Sequence, residues 1–419
     1  MGRFICAMII VGLFFSDFLI LSLGLSVTGA WKEALSFLLL GWLILVLVVK
    51  AAKGRAVHFK YVYLVVIVCV FSAVFLLCGD FSESSVRSFR ALSVPVFLGF
   101  IVVFLLEREP LDIKLRWLLR VLLLCSLCTG IYGAYQFLTI KDPVEFWYWV
   151  PLVEKGFVLQ PTNSMRDGLP RMAGFFTGTL EFSAVVLNCA ILVLSVIFAS
   201  ISRRKINVEL ILLIVTFLVF TLLIIFGSVR TSLIGLISLF FFLVLTNNIR
   251  NQYLLLVLGY GYFVSLSLVI FLYLTLGFTD DPSALDRPRQ WLEVLSFQGS
   301  HPLGYGLGEI GPGQAHWFDS FWLNLIAGCG VFGVAMMLFL VLFYGKIVKT
   351  CTEMKREGTV IEAAFGMYIM AIYPFYLSSF FFQAYTNSVV LYLFAITLLV
   401  VMYERRFRVN QAVDCSGAL

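Results

Sequence analysis

Apolar residues along this chain come in long blocks separated by short polar breaks. Twelve blocks are nearly free of charge, near 4–25, 34–49, 61–78, 89–106, 117–140, 172–200, 208–226, 232–246, 253–276, 320–344, 361–383 and 387–403. A helix of about 17 or more apolar residues crosses the roughly 30 Å hydrocarbon core of a bilayer. The pattern therefore predicts an all-α polytopic integral membrane protein with about twelve transmembrane helices. The first block has only a weak cleavage site, around Thr28 to Ala30, and further spans follow it, so it is read as the first transmembrane helix rather than a signal peptide.

Composition agrees with this pattern: 61% of the residues are hydrophobic, 13% are charged and the mean hydropathy is +1.00, which excludes a soluble domain of 419 residues. Charge then orients the spans. With a cytoplasmic N-terminus, the inner segments hold Arg3, the clusters at 50–60, 108–120, 203–205 and 346–356, Arg250 and the tail arginines 405–408, together 20 of the 30 basic residues. This is the positive-inside bias, and it favours two cytoplasmic termini. The net charge of +6 reflects the same bias and does not point to nucleic acid. The chain divides into spans one to five (1–140), an outer interfacial segment (141–171), spans six to nine (172–276), a large periplasmic segment between spans nine and ten (277–318), spans ten to twelve (320–403) and a cytoplasmic tail (404–419). Neither outer segment contains cysteine, so no disulfide framework is expected.

Four of the ten outward basic residues stand beside breaks or predicted helix starts. Arg171 opens span six, Arg230 opens span eight, and "DRPRQW" places Arg287 and Arg289 in the large outer segment. Helix N-termini offer free N–H groups, and a guanidinium presents a planar fork of donors, so this combination suits phosphate. Terminal arginines also snorkel to the interface, which is the bland alternative for each one taken singly. Asp17 and Glu181 fall inside predicted spans, where a carboxylate is costly, and Glu181 is placed about two and a half turns into span six. "GYGLG", Gly304 to Gly308, lacks a preceding strand and is read as a flexible turn beneath the site, not as a dinucleotide motif.

In order, the chain reads "RMAGFFTGTLEFSAVVL", "FGSVRTSLIGL", "DRPRQWLEVLSFQGSHPLGYGLGEIG" and "DSFWLNLIAGCGVFGVAMML". This series resembles the O-antigen polymerase and O-antigen ligase superfamily, bacterial membrane glycosyltransferases of the GT-C type. The matching positions are Arg171 with Gly174, Arg230, Arg287 with Trp291, the run of Pro302, Leu303, Gly304, Gly306 and Gly308, and Gly330 with Gly333. The resemblance covers roughly residues 171 to 340. Two departures bear on the branch. Ser-Val-Arg stands where the family usually has Ser-Arg, and Asp319-Ser320 occupies the position of the ligase histidine, with His316 three residues earlier. The aspartate favours polymerase over ligase.

The resemblance implies a metal-independent and cofactor-free transfer of glycan from undecaprenyl diphosphate to a sugar hydroxyl of another lipid-linked unit, at the periplasmic face. A ligase would instead deliver the glycan to lipid A core. Diphosphate leaves readily, so preorganised cations matter more than a general acid; Arg171, Arg230, Arg287 and Arg289 are the candidates. The acceptor hydroxyl needs a base, for which Asp319 comes first and His316 second, as i and i+3 if span ten extends back one turn. Asp319 as a helix N-cap is the competing reading. Glu181, His301 and Trp291 are candidate lining of the acceptor cavity. Partners would be the lipid-linked donor and acceptor, membrane lipids and a chain-length regulator. A twelve-helix secondary transporter is the alternative from another class, but residues 1–200 and 208–403 show no self-similarity of the kind carriers display.

Overall fold

The computed structural model describes residues 2–22, 31–53, 59–79, 82–106, 109–154, 159, 164–166, 168–204, 208–275, 282–298, 301–310, 316, 318, 320–381 and 389–416. Nearly all of them are helical: α1 (Gly2–Ser22), α2 (Trp31–Ala52), α3 (Phe59–Cys78), α4 (Glu83–Leu105), α5 (Leu111–Thr139), the short α6 (Trp149–Glu154), α7 (Thr179–Ser202), α8 (Val208–Phe226), α9 (Arg230–Asn247), α10 (Gln252–Thr275), α11 (Pro282–Gln298), α12 (Phe321–Cys329), α13 (Val331–Glu357), α14 (Val360–Ser379) and α15 (Val389–Ser416). Among the described residues, nine of these helices are long and apolar enough to cross a membrane, and apolar stretches of α3 and α15 are shorter. The protein is thus an all-α, multi-pass membrane protein.

α7 and α14 are almost wholly buried and form the centre of the bundle, whereas α8, α10 and α13 turn most of their surface outward. Exposed Leu, Ile, Val and Phe on those outer helices meet lipid instead of water, so burial in this protein reports helix packing more than hydrophobic exclusion. The two central helices share a polar node. Asn188 of α7 accepts from Tyr368 Oη of α14 at 2.8 Å, and its Nδ2 donates to Tyr376 Oη and to Ala184 O.

Contacts at the helix ends sort into two groups. At one end Arg3 pairs with Glu109, Thr359 Oγ1 donates to Asp112, Ser202 meets Asn247, and Lys355 Nζ donates to Thr246 O. At the other end Thr177 donates to Asp17, Arg166 to Ser228 O, Ser88 to Ile310 O and the Leu307 N–H to Cys78 O.

Three expectations need correction. The predicted span 320–344 is two helices: α12 ends at Cys329, Gly330 turns the chain at φ 56°, and α13 runs on for 27 residues. At 1.5 Å per residue α13 is about 40 Å long and can cross a bilayer alone, while α12 is a buried nine-residue piece. The span predicted from 172 begins at Thr179, behind an irregular loop. Residues 282–298 are helical, so Arg287 and Arg289 lie on α11 with Pro288 inside it and not in an open loop.

Candidate functional site

The arginine end of the bundle is built around Gln136, a single buried amide in the last turn of α5. Its Oε1 accepts the N–H groups of Ala173 at 3.2 Å and Gly174 at 2.8 Å, and its Nε2 donates to Gly174 O at 3.1 Å. Trp147 Nε1 donates to the same carbonyl at 3.0 Å. The 171–178 loop thus obtains from side chains the backbone hydrogen bonds that it lacks as a non-helical segment. Gly174 has φ 60°, and a Cβ there would stand 2.5 Å from Thr129 Cγ2, so glycine is required at this position.

Arg171 sits at the start of that loop. Its N–H donates to Ser164 O at 2.8 Å, and Ser164 Oγ shares a 2.9 Å hydrogen bond with Tyr148 Oη. Ser164 leads into a two-residue hairpin, β1 (Met165–Arg166) paired antiparallel with β2 (Leu169–Pro170), with Gly168 at φ 77° in the turn. The hairpin delivers Arg166, whose Nη1 donates to Ser228 O at 3.2 Å. Ser228, itself at φ 54°, precedes Val229, the N-cap of α9, and Arg230 is the first residue of that helix.

Three guanidinium groups therefore converge. Arg171 Nε is buried and has no hydrogen-bond partner in the protein. Burial, then Arg166, then Arg230 weaken the hold of Arg171 on its proton, with Tyr148 opposing them. Burial likewise raises the Tyr148 phenol. A guanidinium stays charged under such pressure, so the cluster gathers positive charge in a partly dry setting, next to the N-terminus of α9. Such a grouping has the chemistry to attract an anion. Of the predicted arginines, the structure joins Arg171 and Arg230. Arg166 belongs with them and was not singled out in the sequence.

The aromatic segment around Phe146 to Trp149 turns part of its surface inward. Phe146 and Tyr148 are buried, packed with Ala173, and Val144, Val150 and Val153 face outward instead.

A second group surrounds α11. Trp291 packs on Phe381 with ring centroids 5.3 Å apart. His301, Phe297, Tyr305 and His316 stack in one column with successive centroid distances of 4.1, 3.5 and 4.1 Å. His316 Nδ1 lies 3.9 Å from Glu293 Oε1. Arg289 is exposed on α11, and the Arg287 side chain lies outside the described residues.

The glycine run is not a flexible turn. Tyr305 N–H donates to Ala327 O at 2.7 Å and Val331 N–H to Pro302 O at 2.8 Å, which docks the run on the α12–α13 break. Gly304 and Gly330 both have positive φ, and a Cβ on either would strike backbone of the other's segment. The two glycine motifs are thus halves of one contact.

Asp319 lies outside the described residues. The N-cap of α12 is Ser320, whose Oγ accepts the Leu323 N–H at 3.2 Å and donates to Phe380 O at 2.9 Å. His316 is not on an extension of that helix: it forms a parallel bridge with Ile310, so an i, i+3 pairing on one helical face does not arise. Glu181 lies in the first turn of α7, not two and a half turns deep, because the helix starts later than predicted. Its Oε1 accepts the N–H of Val389, the first residue of α15.

The sequence matches no family model and no curated protein.

Proposed function

We propose that this protein transfers glycan from a polyprenyl diphosphate donor to a sugar hydroxyl on a second lipid-linked unit, as a polysaccharide polymerase of the inner membrane with its site on the periplasmic side. The observation that carries this reading is the convergence of Arg171, with its buried and unpartnered Nε, on Arg166 and Arg230. Such a cluster suits the charge that accumulates on a departing diphosphate, and a membrane-embedded bundle suits a donor whose tail is lipid. Arg230, at the start of α9, adds the helix dipole to its own charge.

Transfer to lipid A core, the ligase reaction, is the second reading. The nearness of Glu293 Oε1, 3.9 Å from His316 Nδ1, favours it, since a nearby carboxylate supports an imidazole acting as a general base. Under either reading Arg171 and Arg230 hold the leaving diphosphate.

The test uses purified protein and undecaprenyl diphosphate. Arg230→Ala and Arg171→Ala should each weaken binding on the order of ten-fold or more, as expected for a charge-assisted contact. Arg230→Lys should restore only part of it, because an ammonium cannot form the planar bidentate pair. Long glycan of normal length from well-expressed Arg230→Ala would eliminate the proposal. Asp319→Asn and His316→Ala then separate the branches: loss of transfer only in the first favours the polymerase, and only in the second the ligase.

A further inference from the structure

At the end of the bundle opposite the arginine cluster, the C-termini of α7, α9 and α13 and the start of α14 enclose a cavity of about 800 Å³. Among the described residues four cations line it, Arg203, Arg250, Lys355 and Arg356, with Glu357 as the acidic lining residue. Three of them are already engaged, but with neutral carbonyls. Lys355 Nζ donates to Thr246 O at 2.7 Å and Ile249 O at 3.1 Å, Arg203 Nη2 to Lys355 O at 3.3 Å, and Arg356 Nη2 to Arg250 O at 2.5 Å. These bonds cap helix ends and fix the side chains in place.

The capping does not neutralise the charge. Each helix C-terminus contributes about half a negative charge and the α14 N-terminus about half a positive one. Set against four cations and one carboxylate, this leaves about two positive charges facing the cavity. Asn247, Asn248, Ser202 and Thr352 supply further polar lining.

We infer that this cavity binds a phosphate-bearing anion of up to about two negative charges. Position favours the head group of an anionic phospholipid as the source. α7 has 24 residues, so it is about 36 Å long and its end lies beyond the hydrocarbon core, at head-group depth. Basic recesses between transmembrane helices hold anionic head groups in this way. A soluble diphosphate has the same chemistry and is the other source. This inference is independent of the proposed glycan transfer, since it uses other residues at the other end of the helices.

The experiment has two arms on the intact chain. In the first, binding of phosphatidylglycerol is measured against phosphatidylcholine by native mass spectrometry of detergent-purified protein. In the second, inorganic pyrophosphate is titrated by thermal shift. Arg250→Gln keeps all the carbonyl-capping bonds, because Arg250 takes part through its backbone oxygen. It should weaken binding of the bound species roughly five-fold, the usual effect of one basic group near a charged head group. Asn248→Asp, which adds a negative charge to the wall, should act in the same direction and guards against misfolding of the first variant. Preference for phosphatidylglycerol that both variants reduce identifies a lipid site. A pyrophosphate response that both reduce, without lipid preference, identifies a site served from solution. Equal binding of the two lipids with no pyrophosphate response, or folded variants that bind as the wild type does, would overturn the inference.

Discussion

Replacing Gln136 with Leu keeps much of the side-chain volume and removes three hydrogen bonds to the 171–178 loop. Gly174 O retains Trp147 Nε1 as a donor, so the lasting damage is two buried N–H groups, those of Ala173 and Gly174, left without an acceptor. An unsatisfied buried donor costs about 1–3 kcal/mol. Allowing the loop to recover part of this by opening toward water, the local penalty is about 3 kcal/mol. At 1.36 kcal/mol per decade, that is on the order of a hundred-fold faster opening. Hydrogen exchange followed by mass spectrometry on peptides covering 171–178 reads this quantity directly. Trp147→Phe is the matched control: it removes one of two donors to the same carbonyl and strands nothing, so exchange should rise only about five-fold, for about 1 kcal/mol. Exchange in Gln136→Leu at the wild-type rate, or an equal acceleration in Trp147→Phe, would refute the claim that Gln136 holds the loop carrying Arg171.

Asn188→Ala removes the node between α7 and α14 and should cost about 1–2 kcal/mol, given that interhelical hydrogen bonds in membranes contribute less than 1 kcal/mol on average; the apparent melting temperature should fall by a few degrees, and Tyr376→Phe should give about half that effect. Gly330→Ala puts a Cβ 2.0 Å from Pro302 O and Gly304→Ala puts one 2.4 Å from Ala327 O, both at positive φ, so neither variant should yield a monodisperse peak in gel filtration, whereas Gly178→Ala, with nothing within 4 Å, should behave as the wild type. Reporter fusions after 155 and 300 should read periplasm, and fusions after 204 and 354 cytoplasm; a cytoplasmic reading at 300 would contradict the orientation assumed for the site.

The apolar blocks located most helices because lipid-facing and core-facing residues alike must be apolar, which makes the length of a block the whole signal. Arg230 was legible for the same reason: it stands where one block ends and the next begins, and it is the first residue of α9. The start of α7 was misjudged because Met172, Ala173, Phe175 and Phe176 continue the apolar run while their backbone is irregular, held by an amide from another helix. Glu181 was therefore placed too deep. Arg166 escaped notice because the hairpin that delivers it has two-residue strands, too short for any periodicity. The split of span ten was invisible, since Gly330-x-x-Gly333 inside an apolar run reads as a helix-packing face as readily as a break.

The reciprocal contact of Gly304 and Gly330 bears on how this protein can change. A Cβ on Gly304 would stand 2.9 Å from the nitrogen of Gly330, and a Cβ on Gly330 would stand 2.7 Å from the nitrogen of Gly304. Since main chain meets main chain, no trimming of a neighbouring side chain can make room, and a second substitution cannot rescue the first. The 301–310 loop and the α12–α13 hinge therefore form one heritable cassette: a chimera that exchanges residues 321–357 with another scaffold must import the loop as well, or lose the turn on which the two segments close.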